Sequence, residues 1–338
     1  MPKRIAVVGA GIIGLSQACE LQKKFPDAEI TIVAGEFSPD LTSDIAAGFW
    51  HPYLLGESIP PETLKRWLGA TFSYILGYAR SHPTHGAMII SGYEFLRKAV
   101  PRPEFADFFL QFRELPADEI LAVRGTEAYP AEQGWFYTTV FLETGLHMRY
   151  LLKKFRQNGG IIQKRILESL DDLGNKYDAI VNCSGLGAIK LVGDKTVHPI
   201  RGQVIRVKCP TIKHFYLDDE MYILPNSETT VLGGTAEKDD WDLSVRPATV
   251  KWIFEENAKR MPALREAEIV SHRVGLRPGR HSPRVELENR LVAGKMTPVI
   301  HNYGHGGSGV TLFQGCAIDG VELVRKALES QRSPTSKL

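Results

Sequence analysis

The chain has 338 residues, of which 41 are basic and 39 acidic, giving a net charge of +2. This length favours two domains with a sizeable buried core. The basic residues are scattered among acidic ones, which excludes the basic stripe of a nucleic-acid-binding protein. No run reaches the roughly 20 apolar residues of a membrane helix. We therefore expect a soluble protein with neither nucleic acid nor a membrane as partner, compatible with a homo-oligomer.

The four cysteines, Cys19, Cys183, Cys209 and Cys316, are far apart and match no metal-ligand spacing. A chain of this size does not need disulfides to fold. They are expected to be reduced and mostly buried thiols, and no metal site is predicted.

The first elements form a βαβ unit. Residues 4–8 are a short β-branched run typical of a buried parallel strand, apolar residues then recur at helical spacing to Phe25, and residues 29–33 read as a second strand. Because the chain begins directly with this strand, no signal peptide is expected. The turn between the first strand and the helix consists of Gly9, Ala10, Gly11, Ile12, Ile13 and Gly14.

This Gly-x-Gly-x-x-Gly turn is typical of a dinucleotide site, because glycines permit the tight turn and the close approach of a pyrophosphate. The helix that follows offers unpaired N–H groups to the phosphates. Glu36 comes just beyond the second strand, where a carboxylate can bind a ribose, although it also fits a solvated loop residue. The motif alone does not separate FAD from NAD.

Further elements follow from periodicity and from glycine and proline positions. The predicted helices are 62–80, 247–260 and 310–327, and the predicted strands are 178–181, 202–207, 221–224 and 230–233. A glycine-dense segment at 304–309 precedes the last helix.

Five later segments together resemble the D-amino acid oxidase and D-aspartate oxidase family over almost the whole chain. They are Thr42-Ser43-Asp44-Ile45-Ala46-Ala47-Gly48, Val181-Asn182-Cys183-Ser184-Gly185-Leu186-Gly187, Ile200-Arg201-Gly202-Gln203, Val274-Gly275-Leu276-Arg277-Pro278 and His301-Asn302-Tyr303-Gly304-His305-Gly306-Gly307. The resemblance implies an α/β fold with a Rossmann-type FAD-binding domain interleaved with a mixed-sheet α+β substrate domain. The implied FAD-binding domain is 1–50, 145–195 and 270–338, and the substrate-binding domain is 51–144 and 196–269.

The resemblance also implies the flavin contacts. Besides the first glycine turn, they are Thr42, Ser43, Ala46, Ala47 and Gly48 in one loop, Ser184 and Gly185 in a second turn, and Gly306, Gly307, Gly309, Val310 and Thr311 around the polar edge of the flavin.

In such a family Arg277 would clamp the α-carboxylate of a D-amino acid, because its planar fork makes two charge-assisted hydrogen bonds. Tyr222 would donate to the same carboxylate, and the carbonyl of Gly307 would accept from the amine. Arg280 and Arg284 are expected to be solvated or to lie near phosphates. No side-chain base is required if hydrogen leaves as hydride to FAD. The products would be a 2-oxo acid, ammonia and hydrogen peroxide.

The preferred side chain is less defined. Leu217 and Ala236 occupy positions where D-aspartate-specific members would carry arginines, and the acids at 218–220 would repel a second carboxylate if they faced the pocket. These features favour neutral substrates. His51 and Ser308 favour the alternative, a D-aspartate oxidase, because a protonated histidine can pair with a β-carboxylate. The link between His214 and Tyr222 is too short for a long lid.

Three rival interpretations stay open at this point. One is another FAD amine oxidase, such as a glycine or sarcosine oxidase, the second is an NAD-dependent dehydrogenase, and the third is a flavin-binding protein without activity. Separately, Ser336, Lys337 and Leu338 form the C-terminal tripeptide read by the peroxisomal import receptor. The expected location is therefore the peroxisome, which agrees with the production of hydrogen peroxide.

Overall fold

The computed structural model describes residues 2–56, 58–124, 130–219 and 221–331. Within these ranges the strands form a six-stranded and a nine-stranded sheet. In chain order the strands are β1 Arg4–Val8, β2 Glu29–Ala34, β3 Ala87–Leu96, β4 Gln111–Glu114, β5 Gln133–Leu142, β6 Ile161–Lys164, β7 Ala179–Asn182, β8 His198–Lys208, β9 Phe215–Asp218, β10 Met221–Pro225, β11 Thr230–Gly233, β12 Glu237–Lys238, β13 Glu268–Gly279, β14 Arg284–Val292 and β15 Lys295–Tyr303. The tripeptide at 336–338 lies outside the described residues.

The helices pack against both sheets. They are α1 Ile12–Lys24, α2 Thr42–Ile45, α3 Pro61–Ser81, α4 Ala117–Arg124, α5 Thr144–Gln157, α6 Ala188–Leu191, α7 Pro247–Arg260 and α8 Gly309–Ser330. Helices α1 and α8 lie on the six-stranded sheet, and α3 and α7 on the nine-stranded one. Helix α1 contacts α5 and α8, and α3 contacts α8, so these four form one layer. In the described ranges, no helix is both long and apolar enough to cross a membrane.

The six-stranded sheet has the order β14-β15-β7-β1-β2-β6. All its pairs are parallel except the β14–β15 hairpin. Side chains of β1 point alternately to the two faces of the sheet. Ile5 and Val7 belong to the core beneath the helix layer, whereas Ala6 and Val8 pack against Leu170 on the other side. This two-sided burial explains the uninterrupted apolar runs of the strands.

The nine-stranded sheet has the order β12-β8-β11-β10-β9-β3-β5-β4, with β13 also paired to β8. One face is covered by α7, whose Ile253 belongs to the same core cluster as Ile205 and Ile223. Because side chains alternate along a strand, Tyr222 lies on the opposite face. We call this second side of the nine-stranded sheet the open face.

The fold class expected from the sequence is confirmed, and the helix 247–260 and the strand 230–233 have the expected bounds. Strand β13 crosses residue 270, the expected start of the last FAD-binding segment, and ends at Gly279. Strand β13 continues along β8 with Gly275 opposite Gly202 and Arg277 opposite Ile200, so it belongs to the nine-stranded sheet. The two-domain division itself stays a prediction.

All four cysteines are free, which confirms the expected thiols. Cys183, Cys209 and Cys316 are buried, and Cys19 is partly buried. Burial raises the pKa of Cys19 to about 12, so this thiol stays protonated at neutral pH.

Candidate active site

Three glycine turns meet at one edge of the six-stranded sheet. Strands β1, β7 and β15 are parallel neighbours, and their carboxyl ends therefore lie side by side. Each end leads into a glycine turn, at Gly9, at Ser184-Gly185 and at Gly304. Such an edge, beyond the carboxyl ends of parallel strands, is where α/β folds bind ligands.

The first turn has room only for glycine. Gly9 has φ +107°, and a Cβ on it would lie 2.5 Å from the carbonyl oxygen of Cys183. A Cβ on Gly14 would lie 2.1 Å from the oxygen of Gly9. These contacts hold the turn tightly against the second one and leave the N-terminus of α1 facing the shared edge, where it can bind phosphate.

The second turn is fixed by a chain of side chains. Asn182 accepts from the N–H of Ser184 (3.2 Å), and its amide lies 3.4 Å from Nδ1 of His301, whose Nε2 lies 2.9 Å from a carboxylate oxygen of Glu288. A carboxylate only accepts, so Nε2 carries the proton and Nδ1 accepts from Asn182. Burial and the charge of Arg284 lower the pKa of His301 to about 4. The imidazole is therefore neutral at pH 7 and keeps its one proton on Nε2.

The third turn fastens the loop that contains His51. The hydroxyl of Ser308 donates to the carbonyl of Tyr53 (2.7 Å) and accepts from its N–H (2.8 Å). Thr311 donates to the carbonyl of His51 (2.9 Å). A Cβ on Gly306 would lie 2.5 Å from the oxygen of Leu54. The hydroxyl of Ser308 is thus occupied by backbone, which weakens its expected role in reading a substrate side chain.

The predicted flavin loop joins both sheets. The hydroxyl of Ser43 accepts from the first N–H of α1 (3.2 Å), and Thr42 donates to the carbonyl of Leu276, next to Arg277 (3.2 Å). Gly48 has φ +92°, and a Cβ there would lie 2.3 Å from a backbone oxygen of β5. The loop therefore links the nucleotide edge to the strand with the candidate clamp, with Ala46 and Ala47 partly buried along it.

Glu36 lies at the end of β2 with its side chain exposed, and it forms an ion pair with Lys164 at the end of β6 (3.2 Å). The sequence pattern did not indicate this partner. Its predicted ribose contact stays a prediction, and a ribose there would meet a lysine as well as a carboxylate.

The edge fits a dinucleotide. Three glycine turns and the N-termini of α1 and α8 converge there, a combination suited to a pyrophosphate. The hydroxyl of Ser184 and Nε2 of His305 are buried without a hydrogen-bond partner among the described residues, so polar groups are left for a ligand at two of the turns. In the same ranges, no three His, Cys, Asp or Glu side chains are grouped to hold a metal ion.

Arg277 and Tyr222 lie together on the open face, each over a glycine. The guanidinium of Arg277 covers Gly202, where a Cβ would lie 2.4 Å from Nη1, and the ring of Tyr222 covers Gly233, where a Cβ would lie 1.9 Å from Cζ. Nη1 of Arg277 donates to the carbonyl of Thr235 (3.0 Å). The two side chains meet because these strand glycines leave space for them.

The electrostatics of this pair suit a carboxylate ligand. Burial raises the pKa of Tyr222, against a smaller opposite effect of the nearby Arg277, so the phenol keeps its proton and can donate. A guanidinium has five N–H donors, and one contact with a carbonyl leaves a fork for an anion.

Tyr53 was missed by the sequence analysis. Its ring centre lies 5.9 Å from Cζ of Arg277, and a Cβ on Gly307 would lie 2.6 Å from its Cδ1. It therefore covers both the clamp and the predicted amine acceptor. Gly202 and Gly233 were also missed, although an isolated glycine within a strand indicates a close approach.

His51 lies beside a carboxylate that sequence reasoning also missed. Its Nε2 is buried, is 3.8 Å from Oε2 of Glu94, and has no hydrogen-bond partner within the part of the chain that the structure describes. The ring stacks near Phe49 and meets Phe105 edge-on (centroids 6.0 and 5.0 Å apart). Glu94 accepts a hydrogen bond from Tyr137 (2.9 Å).

Asp218 and Asp219 are both held in ion pairs. Asp218 is buried on the α7 side and pairs with Arg124 (2.9 Å) and Arg260 (2.7 Å), so it does not face the pocket and the condition for repelling a second carboxylate is not met there. Asp219 pairs with Arg97, and residue 220 lies outside the described ranges. Strands β9 and β10 pair directly, which confirms that no long lid separates them.

Leu217 lies opposite Tyr222 and shares its face, whereas Ala236 is exposed.

Arg280 and Arg284 are partly buried rather than solvated. Arg280 pairs with Asp194 (3.0 Å), and Arg284 donates to the hydroxyl of Tyr303 (2.8 Å), so neither is a solvated side chain, and their place near phosphates stays a prediction.

The chain is similar to known proteins along almost its whole length. A family model described as FAD dependent oxidoreductase matches residues 4–322. The chain is 35% identical to a D-aspartate oxidase of Homo sapiens, with 99% of this chain and 98% of that relative covered. It is 39% identical to a D-amino-acid oxidase of Rubrobacter xylanophilus, with 96% and 97% covered.

Among solved structures, the fold is similar to a glycine oxidase from Geobacillus kaustophilus. The TM-score is 0.76 at 20% identity, and the match covers 99% of this chain and 96% of that one. At this identity the likeness concerns the fold alone.

Proposed function

The chain belongs to the FAD dependent oxidoreductase family. From the surroundings of His51 we propose that it oxidises D-amino acids with neutral side chains in preference to acidic ones. It is a flavoenzyme with FAD as cofactor, and it catalyses oxidative deamination of D-amino acids. The human relative is a D-aspartate oxidase and the Rubrobacter relative a D-amino-acid oxidase. Kinship alone therefore leaves the side-chain preference open.

The three glycine turns and the loop 42–48 are the groups that would hold FAD. When bound, FAD supplies the acceptor for the hydride from the substrate α-carbon and the route by which electrons pass to oxygen. The N-terminus of α8 adds a positive dipole end beside the third turn. These features support binding through backbone groups that are already in place.

Arg277 and Tyr222 would hold the α-carboxylate between a fixed guanidinium and a protonated phenol. The carbonyl of Gly307 would accept from the amine, and Tyr53 closes the space beside both. Two anchors on one ligand fix the direction of its α-hydrogen. Orientation of this kind accounts for catalysis without a side-chain base.

The preference for neutral side chains rests on one observation, the position of Glu94 beside His51. At 3.8 Å the carboxylate compensates a protonated imidazole, so His51 is not free to pair with a substrate β-carboxylate. Leu217, next to Tyr222 on the open face, adds an apolar wall. A β-carboxylate would therefore face the apolar Leu217 and an imidazole that is already paired with Glu94.

Peroxide release with D-alanine, D-methionine, D-aspartate and their L-forms tests this proposal. We expect kcat/KM for D-methionine to exceed that for D-aspartate by about tenfold or more, a difference of about 1.4 kcal/mol, and no turnover of L-forms. Anaerobic loss of the flavin absorbance with each substrate separates binding from oxygen reactivity. A higher kcat/KM for D-aspartate would overturn the preference.

We also propose that the chain is imported into peroxisomes through Ser336, Lys337 and Leu338, with the import receptor as partner. A fluorescent protein fused before residue 1 leaves the tripeptide accessible. Punctate fluorescence that becomes diffuse in Leu338→Asp supports import, and an identical distribution of both proteins contradicts it.

A further inference from the structure

Glu94 lies in line with the substrate clamp. It is opposite Leu217 on the neighbouring strand β9, and Leu217 is opposite Tyr222 on β10. Residues that are directly opposite each other share a face of the sheet. Glu94, Leu217 and Tyr222 thus form one row across the open face.

The spacing of this row sets what a substrate can reach. Neighbouring strands are about 4.8 Å apart, so the backbone of Glu94 is roughly 10 Å from that of Tyr222. A ligand whose carboxylate is held at Tyr222 would pass Leu217 before it meets Glu94. Only a side chain of several bonds covers this distance, because the side chain of Glu94 itself closes part of it.

The surroundings make the charge of Glu94 effective. Its carboxylate is only 14% exposed and lies near the aromatic residues that enclose His51. Its described polar contacts are the hydroxyl of Tyr137 and, at 3.8 Å, the imidazole of His51. A charge in such a water-poor site interacts strongly with a second one nearby.

We propose that Glu94, with His51 beside it, is a specificity-determining residue that selects the charge at the far end of a long substrate side chain. It favours a cationic end over its neutral isostere and rejects an anionic end. This inference rests on the proposed oxidation of D-amino acids, and it adds the residue that senses charge and the dependence on side-chain length.

Isosteric pairs of substrates test the role of Glu94 in the variant Glu94→Gln. Glutamine keeps the shape of the side chain and can still accept the hydrogen bond from Tyr137. D-arginine is compared with D-citrulline, and D-glutamate with D-glutamine, as ratios of kcat/KM from peroxide release. A ratio of two substrates on one protein is independent of how much of it is folded. We expect the arginine-to-citrulline ratio to fall about tenfold and the glutamate-to-glutamine ratio to rise about tenfold, each corresponding to one bound charge contact.

Glu114→Gln is the matched control. Glu114 is opposite Trp135, which in turn is opposite Glu94, so it continues the same row two strands farther from Tyr222. We expect both ratios to stay within twofold of wild type in this variant. His51→Gln, which removes the imidazole near Glu94, is expected to raise the arginine-to-citrulline ratio.

The outcomes separate the two proposals. If no D-amino acid releases peroxide, the proposed function fails. If the wild type oxidises D-amino acids but Glu94→Gln changes neither ratio by more than twofold, only the role of Glu94 is overturned. Equal changes in Glu114→Gln and Glu94→Gln would also overturn it, since net charge rather than position would then explain them.

Discussion

The nucleotide edge and the open face are built by different means. At the edge the site is formed mainly by backbone groups. Gly9 and Gly14 bring the turns so close together that an added Cβ would overlap a carbonyl oxygen. On the open face, side chains from separate strands converge, with Arg277 from β13, Tyr222 from β10 and Glu94 from β3.

This difference decides how each region tolerates change. A backbone site fails when any side chain is added, whatever its chemistry, and the failure concerns the cofactor. A side-chain site fails according to the group removed, and the failure concerns the substrate. The two regions touch through Thr42, which donates to the strand of Arg277. Variants that change substrate turnover without changing FAD affinity, or the reverse, are therefore a stringent test of this difference.

The largest effect is expected for Arg277→Ala. Loss of a forked contact to a buried carboxylate costs about 4 kcal/mol, or roughly a 1000-fold fall in kcat/KM. Peroxide release with D-methionine measures it, while flavin fluorescence should show an unchanged FAD affinity. Arg325→Ala, on the surface of α8, is the control and should retain activity. A fall of less than tenfold in Arg277→Ala would contradict the clamp.

Gly14→Ala, unlike Arg277→Ala, should weaken the binding of FAD. Its Cβ would lie 2.1 Å from the oxygen of Gly9, so the turn must open and the N-terminus of α1 must shift. We expect FAD affinity to fall by about 100-fold, equivalent to about 2.7 kcal/mol, as measured by titration of the apoprotein.

Gly77→Ala is the matched control for Gly14→Ala. Gly77 lies in α3 with nothing within 4 Å of an added Cβ, so alanine should leave FAD affinity unchanged and stabilise the helix by about 1 kcal/mol. Equal FAD affinity in the two variants would show that the first turn is not a close-approach site.

The same difference explains what the sequence could predict. The turns at Gly9 and Gly304 and the helix Pro247–Arg260 are local patterns, so a short window of sequence contains all that specifies them. Glu94 lies in one row with Leu217 only because β3 pairs with β9, in parallel and more than 100 residues away in sequence. No local pattern encodes that pairing.

Tyr222→Phe tests a single hydrogen bond on the open face. The ring can still lie over Gly233, but the hydrogen bond from the hydroxyl to a charged carboxylate is lost. That bond contributes about 1.5 kcal/mol, so KM should rise roughly tenfold with FAD affinity unchanged. Steady-state kinetics with D-alanine measure the change. A large fall in kcat with constant KM would instead indicate a role beyond binding.

His301 belongs to a side-chain network that supports the second turn at the nucleotide edge, and its pKa gives the smallest predicted effect. In the unfolded chain it takes up a proton near 6.5, whereas in the folded protein it stays neutral down to about 4. Stability is therefore lost as pH falls from 6.5 towards 4.

At pH 5 the loss amounts to about 2 kcal/mol relative to pH 7, or roughly 3 °C in Tm. His147 and His305 also have pKa values lowered to about 4 by burial, so the wild type should lose more than this. His301→Gln, which can still bridge Asn182 and Glu288, should lose about 3 °C less than the wild type between pH 7 and pH 5. The exposed His281→Gln should behave like the wild type. Because glutamine does not titrate, an equal loss in His301→Gln and wild type would show that His301 already carries a proton in the folded protein, and that the second turn is held by backbone like the first.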